Sequence, residues 1–365
     1  MIKTGQAPAP VRWEVICSRD QISVGKSVSV EFQRTLRIPD DGKTYPLPAG
    51  LGAFPIRRVS DYKDRVPESW QARNAFFIPM YQREALWLNF ISEFHHPVAV
   101  KVSLGNMNAV TGEPWDRFIS AERQDYLVCP PQRWLDGFKT GNGVVRQFVA
   151  MPLGQGYTVE HQLTGREHLG GIQIMVFQSK PGKFPESEIE TDFPLKSAFP
   201  SAGMEMGIAS GGKIAQKIYK DEYGSDTWDE LNFGGMTIHI VNSFAFREIT
   251  GENPPPSPIT ARTYAENGLP WFDLYDEKRK DVRVDEKLYD IKSVGLIDKI
   301  KGQGYQQDDQ SIIIGPKKVI SINAAGKFTE EPHRHRESEL LFQDLFESGR
   351  TDGFEWRQFF RRRQK

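Results

Sequence analysis

Three residues in the middle of the chain carry side chains that could act as a general acid and a general base. Glu160 and His161 are consecutive in segment 157–163, and His239 lies in the apolar segment 236–241. A histidine and a carboxylate that meet in a cleft can transfer a proton during hydrolysis or elimination. These three residues are therefore the candidate catalytic residues of a hydrolase or lyase.

Both histidines also have a structural interpretation. His161 alternates with Tyr157, Val159 and Leu163, which predicts the apolar side of a β-strand. A single histidine on such a face is often neutral and hydrogen bonded within the core. His239 lies in a similar alternating segment, so catalysis requires that the fold bring distant residues together.

No motif in the chain predicts a metal or a cofactor. His95 and His96 are adjacent, so on a strand they would point to opposite faces, and His333 and His335 are flanked by arginines. The paired glycines lack the further glycine, or the Lys-Ser/Thr pair, that phosphate-binding loops require. We expect no cofactor and no bound metal.

Three tryptophans each lie next to an acidic residue. Trp115, Trp228 and Trp271 could stack on a sugar while the neighbouring carboxylate accepts a hydrogen bond, or they could simply anchor loops in the core. Large aromatic residues fill the cores of β-sandwiches more often than they bind sugars, so anchoring is favoured.

The two cysteines and the amino-terminal residues indicate the compartment. Cys17 and Cys129 lie far apart in apolar segments, which predicts buried free thiols rather than a disulfide framework. The first residues lack the apolar core of a signal peptide, and no window of about eighteen apolar residues occurs. We expect a soluble, cytoplasmic protein without a membrane span.

The composition is that of an ordinary globular protein. Among 365 residues, 38% are hydrophobic and 26% are charged, with a net charge of −1. A surface on which positive and negative charges are so evenly balanced does not suit a polyanion, so the sequence disfavours a nucleic-acid partner.

Short alternating segments separated by glycine and proline dominate the chain and predict its architecture. The 32 glycines and 24 prolines leave little room for long helices. This pattern predicts a mainly β fold with minor helix, whose first part is an antiparallel β-sandwich resembling a jelly roll. The predicted strands are 12–17, 27–37, 75–79, 85–90, 98–104, 126–128, 144–151, 157–163 and 172–176.

The predicted organisation has three parts. Residues 1–180 form the sandwich, and the proline-rich segment 179–200 is a boundary or a long loop. Residues 181–325 form a second β-rich domain or a continuation of the same sheets, with a helix from Thr260 to Gly268 and a strand pair within 311–324. Residues 326–365 form a helical tail with a basic end.

The tail supplies candidate interaction residues. Within 337–349, Leu341 and Leu345 recur at helical spacing, as do Phe342 and Phe346, and Trp356 follows in the basic end. Leu341, Leu345, Phe346 and Trp356 are the predicted contacts to a partner protein or to another copy of the chain. Because no concentrated catalytic motif is present, we expect a binding or assembly protein that uses sheet edges and this segment. The alternative is the hydrolase or lyase above.

Overall fold

A computed structural model describes residues 11–92, 96–167, 170–185, 205–274, 279–304, 306, 311–314 and 319–322, and the statements below concern these residues. The prediction of a mainly β fold with minor helix is confirmed. Strands are numerous and most have fewer than ten residues, although β18 and β19 are longer, and the helices have at most eight residues.

Bounds of the elements are as follows. The α-helices are α1 Val159–Thr164, α2 Ser243–Thr250, α3 Ala261–Glu266, α4 Glu286–Tyr289 and α5 Val294–Ile300, and short 3-10 helices cover Val59–Arg65, Glu68–Trp70 and Ser225–Thr227. The strands are β1 Val11–Arg12, β2 Val15–Cys17, β3 Gln21–Val24, β4 Val28–Thr35, β5 Thr44–Tyr45, β6 Leu47–Pro48, β7 Gly50–Ala53, β8 Arg57–Arg58, β9 Ala75–Met80, β10 Ala85–Ser92, β11 Val98–Leu104, β12 Met107–Asn108, β13 Leu127–Cys129, β14 Trp134–Leu135, β15 Gly137–Gly141, β16 Val144–Pro152, β17 Ile172–Ser179, β18 Glu205–Ala215, β19 Trp228–Asn242, β20 Trp271–Leu274 and β21 Val319–Ile322.

The main strands form two layers. One layer has the order β13-β11-β17-β19-β9-β8, and the other has the order β2-β3-β4-β10-β16-β18. Most pairs are antiparallel, but β1 and β9 run parallel to β19. The layers join where Glu205 and Met206 of β18 pair with the end of β19. Strands on both sides of residue 180 therefore pair within one sheet system.

Alternation along the strands places one apolar face of each layer inside. Phe32 of β4 and Leu88 of β10 belong to the same buried cluster as Val100 of β11, Ile174 of β17 and Ile238 of β19. Because successive side chains on a strand point to opposite faces, these positions face one another across the two layers.

The hairpin between β11 and β12 shows why its turn residues occur there. Leu104 pairs with Met107, and the two residues between them, Gly105 and Asn106, have φ of 57° and 63°. A two-residue turn with both φ positive matches the twist of the flanking strands, and glycine and asparagine tolerate that conformation.

The predicted strand at 157–163 is wrong, because Val159–Thr164 is the helix α1. Thr158 Oγ1 accepts a hydrogen bond from His161 N at 3.1 Å, and Gly165 ends the helix with φ 73°. These two boundary residues allow a short helix, and they prevail over an alternation of only four positions.

The predicted strand pair within 311–324 is wrong in its first half. Residues 311–314 are not in a strand, and Ser311 Oγ donates to Asp41 Oδ2 while Ile312 N donates to Tyr45 Oη. Strand β21 pairs in parallel with β20 instead. The helix predicted after Thr260 is present as α3, and its Thr260 cap accepts from Thr263 N.

Candidate functional site

A cleft of about 450 Å³ opens between α1 and the α4–α5 segment, on the outside of the second layer. His161, Gln162 and Leu163 form one wall. The opposite wall is formed by Lys287, Asp290, Ile291, Lys292, Ile297 and Ile300. A concave site with an apolar lining and a few polar groups is the usual form of a binding site, so this cleft is the candidate functional site.

Side chains at the ends of α1 fix the first wall. Thr158 caps the helix and also donates from Oγ1 to Glu167 Oε1 at 2.6 Å, while Glu167 Oε2 accepts from the Gly154 amide. The loop before α1 and the residues after it are therefore held together. This arrangement places the partly buried His161 ring beside Gly156, with Nε2 facing that glycine.

Buried polar contacts fix α5, which forms much of the second wall. Ser293 caps α5 by accepting from Leu296 N. The carboxylate of Asp298, which is 2% exposed, accepts from Tyr157 Oη at 2.7 Å and from Arg83 Nη1 at 2.8 Å. An ion pair with a second hydrogen-bond donor satisfies a buried carboxylate, so α5 cannot shift without leaving a charge unpaired.

Gln162 joins the two walls. Its Nε2 donates to the Tyr157 and Lys292 carbonyls, and its Oε1 accepts from Lys292 N at 2.7 Å. With all these bonds formed, Gln162 positions the walls and leaves ligand contacts to its neighbours.

The cleft combines an apolar base with charges of both signs. Lys287 pairs with Glu113, whereas Asp290, Lys292 and the His161 ring have no side-chain partner in the part of the chain that the structure describes. Ile297 is buried against the second layer, and Ile300 lies at the edge of the cleft. Such a site can enclose an apolar group and offer a cation, an anion and an imidazole to polar groups beside it.

Apolar side chains continue from the cleft onto the surface. Tyr289 is 69% exposed, Ile300 is 64% exposed and Leu296 is 41% exposed. Leu296 and Ile300 are four residues apart on α5 and so lie on the same side of the helix. We call Tyr289, Leu296 and Ile300 the α4–α5 rim.

The three predicted catalytic residues lie in different environments. His161 lines the cleft, whereas neighbouring Glu160 is buried, with Oε2 accepting from Gly170 N at 3.1 Å. His239 lies on the outer face of the other layer, stacked on Trp70 with ring centroids 4.4 Å apart. The structure therefore brings His161 to a concave surface and does not bring Glu160 or His239 there.

The surroundings of His239 keep its imidazole neutral. Burial lowers the pKa of His239 to about 4, although the backbone of Trp70 partly offsets this effect. An imidazole with such a pKa carries no charge near pH 7, as expected for a histidine inside an aromatic cluster.

The cysteines and two of the singled-out tryptophans are also buried. Cys17 and Cys129 are free thiols, and burial raises the pKa of Cys17 to about 12 and that of Cys129 well above its ordinary value. Thiols with such high pKa values are poor nucleophiles at pH 7. Trp228 and Trp271 are 1% and 3% exposed, so both anchor the core and neither offers a ring face to a sugar.

Sequence reasoning missed the second wall of the cleft. A signal for it was available, because Ser293 is a favourable cap and Val294 and Ile297 follow at helical spacing. The contact between this helix and α1 could not be read in the same way, since more than 130 positions separate His161 and Ile297 along the chain.

Leu341, Leu345, Phe346 and Trp356 lie outside the described residues. Within the described ranges, no group of three or more His, Cys, Asp or Glu side chains is placed to hold a metal ion. Among the same residues, no helix has the length and apolar character needed to cross a lipid bilayer.

Comparisons of this chain with protein-family models, with curated proteins and with solved structures found no match.

Proposed function

We propose that the protein is a binding or assembly protein that contacts another copy of itself through the cleft and the α4–α5 rim. The observation that carries the proposal is the exposure of Tyr289, Leu296 and Ile300 beside a cleft with an apolar base. Apolar side chains grouped on a surface next to a concave site are characteristic of protein contacts.

The chemistry of the cleft suits a protein partner. Ile297 and Ile300 would receive an apolar side chain, while Lys292 and Asp290 at the wall would select the polar groups on either side of it. The ordered walls favour binding, because Gln162 and Asp298 already hold them in place and little ordering cost remains.

The sheet edges and the carboxy-terminal segment 337–349 remain part of the proposal as further contact surfaces. If segment 337–349 is helical, Leu341 and Leu345 would form an apolar face, and Phe346 would fall on the adjoining face. Leu341→Asp in the full-length chain is therefore expected to weaken self-association.

Sedimentation velocity of the full-length protein over a wide concentration range tests the role of the rim. We expect reversible self-association that Ile300→Asp weakens, because a carboxylate at this exposed position opposes burial in an interface without disturbing the core. Phe244→Asp is the matched control, since Phe244 is 70% exposed but lies on α2, which packs on the other layer. A monomer at every concentration, or equal effects of the two variants, would contradict the proposal.

A hydrolase or lyase is the second candidate function. It is favoured by one observation, the position of His161 in the cleft together with Asp290 and Lys292. An activity screen of the wild type against His161→Gln tests it, with Glu160→Gln and His239→Gln as comparisons. Turnover that does not depend on His161 would rule out this site as the catalytic centre.

A further inference from the structure

A second concave site lies where strand pairing along one edge of β19 is interrupted. The short strand β1 pairs in parallel with Asn232 and Phe233, and β9 pairs in parallel from Thr237 onward. Both strands use the same edge of β19, so residues 234–236 have no strand against them there. The gap forms a cavity of about 120 Å³.

Two arginines from different parts of the chain meet at this cavity. Arg12 belongs to β1 and Arg73 precedes β9, and both line the cavity together with Trp13 and Asn74. Neither guanidinium has an ion-pair or hydrogen-bond partner among the residues that the structure describes. Two exposed arginines thus border one small volume, and no described carboxylate neutralises them.

Backbone groups add to the donors at the cavity. The Gly235 carbonyl accepts from Asn74 Nδ2 at 3.0 Å, and Thr237 N donates to the Asn74 carbonyl at 3.1 Å. The N–H and C=O of one strand residue point to the same side, so the Gly235 amide also points toward the open edge. Asn74 holds this arrangement with a φ of 57°, a conformation that asparagine tolerates.

The size and surroundings of the cavity limit what can occupy it. At about 120 Å³ the cavity is smaller than the roughly 300 to 1,000 Å³ of pockets that enclose drug-sized ligands, so it suits a small polar group. The Trp13 indole forms one wall and is fixed because its Nε1 donates to Asn232 Oδ1 at 2.5 Å. The accessible polar groups are mainly donors. A ligand would therefore need negative charge to match the two arginines.

We propose that this cavity binds a doubly charged oxyanion of the phosphate type, held between Arg12 and Arg73 with the Gly235 amide as a further donor. Guanidinium groups bind phosphate oxygens through paired hydrogen bonds, and two of them match the charge of a phosphate dianion. The site is separate from the cleft at α1 and does not depend on the function proposed for that cleft.

Calorimetric titration of the full-length protein with inorganic phosphate tests the proposal. We expect one saturable site per chain, and we expect Arg12→Gln and Arg73→Gln each to raise the dissociation constant roughly tenfold or more, since each loses a charged hydrogen bond. Arg73→Lys keeps the charge but loses the paired geometry, so binding should be intermediate. Acetate at equal ionic strength should bind much more weakly.

Arg262→Gln is the matched control, because its exposed side chain pairs only with Glu266 on α3 among the described residues. It should bind phosphate as the wild type does. The proposal would be overturned by the lack of saturable phosphate binding, by equal binding to the wild type and the two glutamine variants, or by equal binding of acetate. Thermal unfolding of each variant without phosphate shows whether the fold itself has changed.

Discussion

Asp136 is a carboxyl group enclosed by the protein. It is 1% exposed, and burial raises its pKa from the ordinary 3.8 to about 7, although the hydrogen bond donated by Gln216 Nε2 favours the charged form. The folded state prefers the neutral acid, whereas the unfolded state ionises near the ordinary pKa. The contribution of Asp136 to the free energy of unfolding is therefore fully present below about pH 4 and is lost as the pH rises through about 7.

Replacing Asp136 with asparagine should remove this loss. The amide keeps an acceptor for Gln216 and cannot ionise, so Asp136→Asn should gain up to about 4 kcal/mol over the wild type between pH 4 and pH 8, at about 1.36 kcal/mol per unit of pKa shift. Urea unfolding at both pH values measures this difference. The exposed Asp64→Asn is the control, and a gain that does not change with pH would contradict the raised pKa.

His239 predicts the opposite dependence on pH. Its pKa falls from the ordinary 6.5 to about 4, so the unfolded state binds a proton at a higher pH than the folded state does. The contribution of neutral His239 to the free energy of unfolding is therefore lost as the pH falls from about 6.5 to about 4. His239→Phe keeps a ring next to Trp70 and cannot titrate. Relative to the wild type, the free energy of unfolding of this variant should increase by about 3 kcal/mol when the pH is lowered from 8 to 4.

The measurement for His239→Phe is the free energy of unfolding at several pH values. A constant offset from the wild type would reflect only altered packing of the larger ring. A difference that grows below pH 6.5 would identify the histidine as the titrating group.

At the scale of elements, α1 depends on its boundary residues more than on its own apolar pattern. Gly165 has φ 73°, and a side chain there would be strained even though open space surrounds it. Gly165→Ala should therefore destabilise the protein by about 1 to 2 kcal/mol. Gly304→Ala is the control, because Gly304 has open space and no positive φ. Equal unfolding free energies of the two variants would contradict this account of the helix end.

The same helix shows how far strand prediction from a sequence can be trusted. Strands such as β11 and β17 alternate over seven and eight residues, they pair along their length, and the prediction found them. In segment 157–163 the alternation involves only four positions, and a helix of six residues leaves almost the same pattern. The capping residue Thr158 and the glycine at 165 distinguish the helix from a strand, and both residue types can be read from the sequence.

The two layers make the whole molecule depend on distant pairings. Strand β16 pairs with β18 from Val144 to Pro152, and β17 pairs with β19 from Ile172 to Ser179. Because each layer contains strands from both sides of residue 180, we expect one cooperative unfolding transition.

Tryptophan fluorescence and far-ultraviolet circular dichroism during urea unfolding measure this cooperativity. The tryptophans include Trp134 on β14, which pairs with β10 of the second layer, and Trp228 on β19 of the first layer, so fluorescence samples both layers. Coincident transitions are expected, and two separated transitions would show that the parts before and after residue 180 fold independently.

The sequence by itself determined the class of fold, because alternation, glycine and proline act over a few neighbouring residues and set strand and turn locally. It also indicated that Cys17 and Cys129 are buried thiols, since both lie in apolar segments. Only the tertiary structure decided which residues share a surface. His161 and Ile297 line one cleft, and Arg12 and Arg73 line one cavity, because segments distant along the chain pack together. Such packing depends on the whole set of competing contacts rather than on any local pattern.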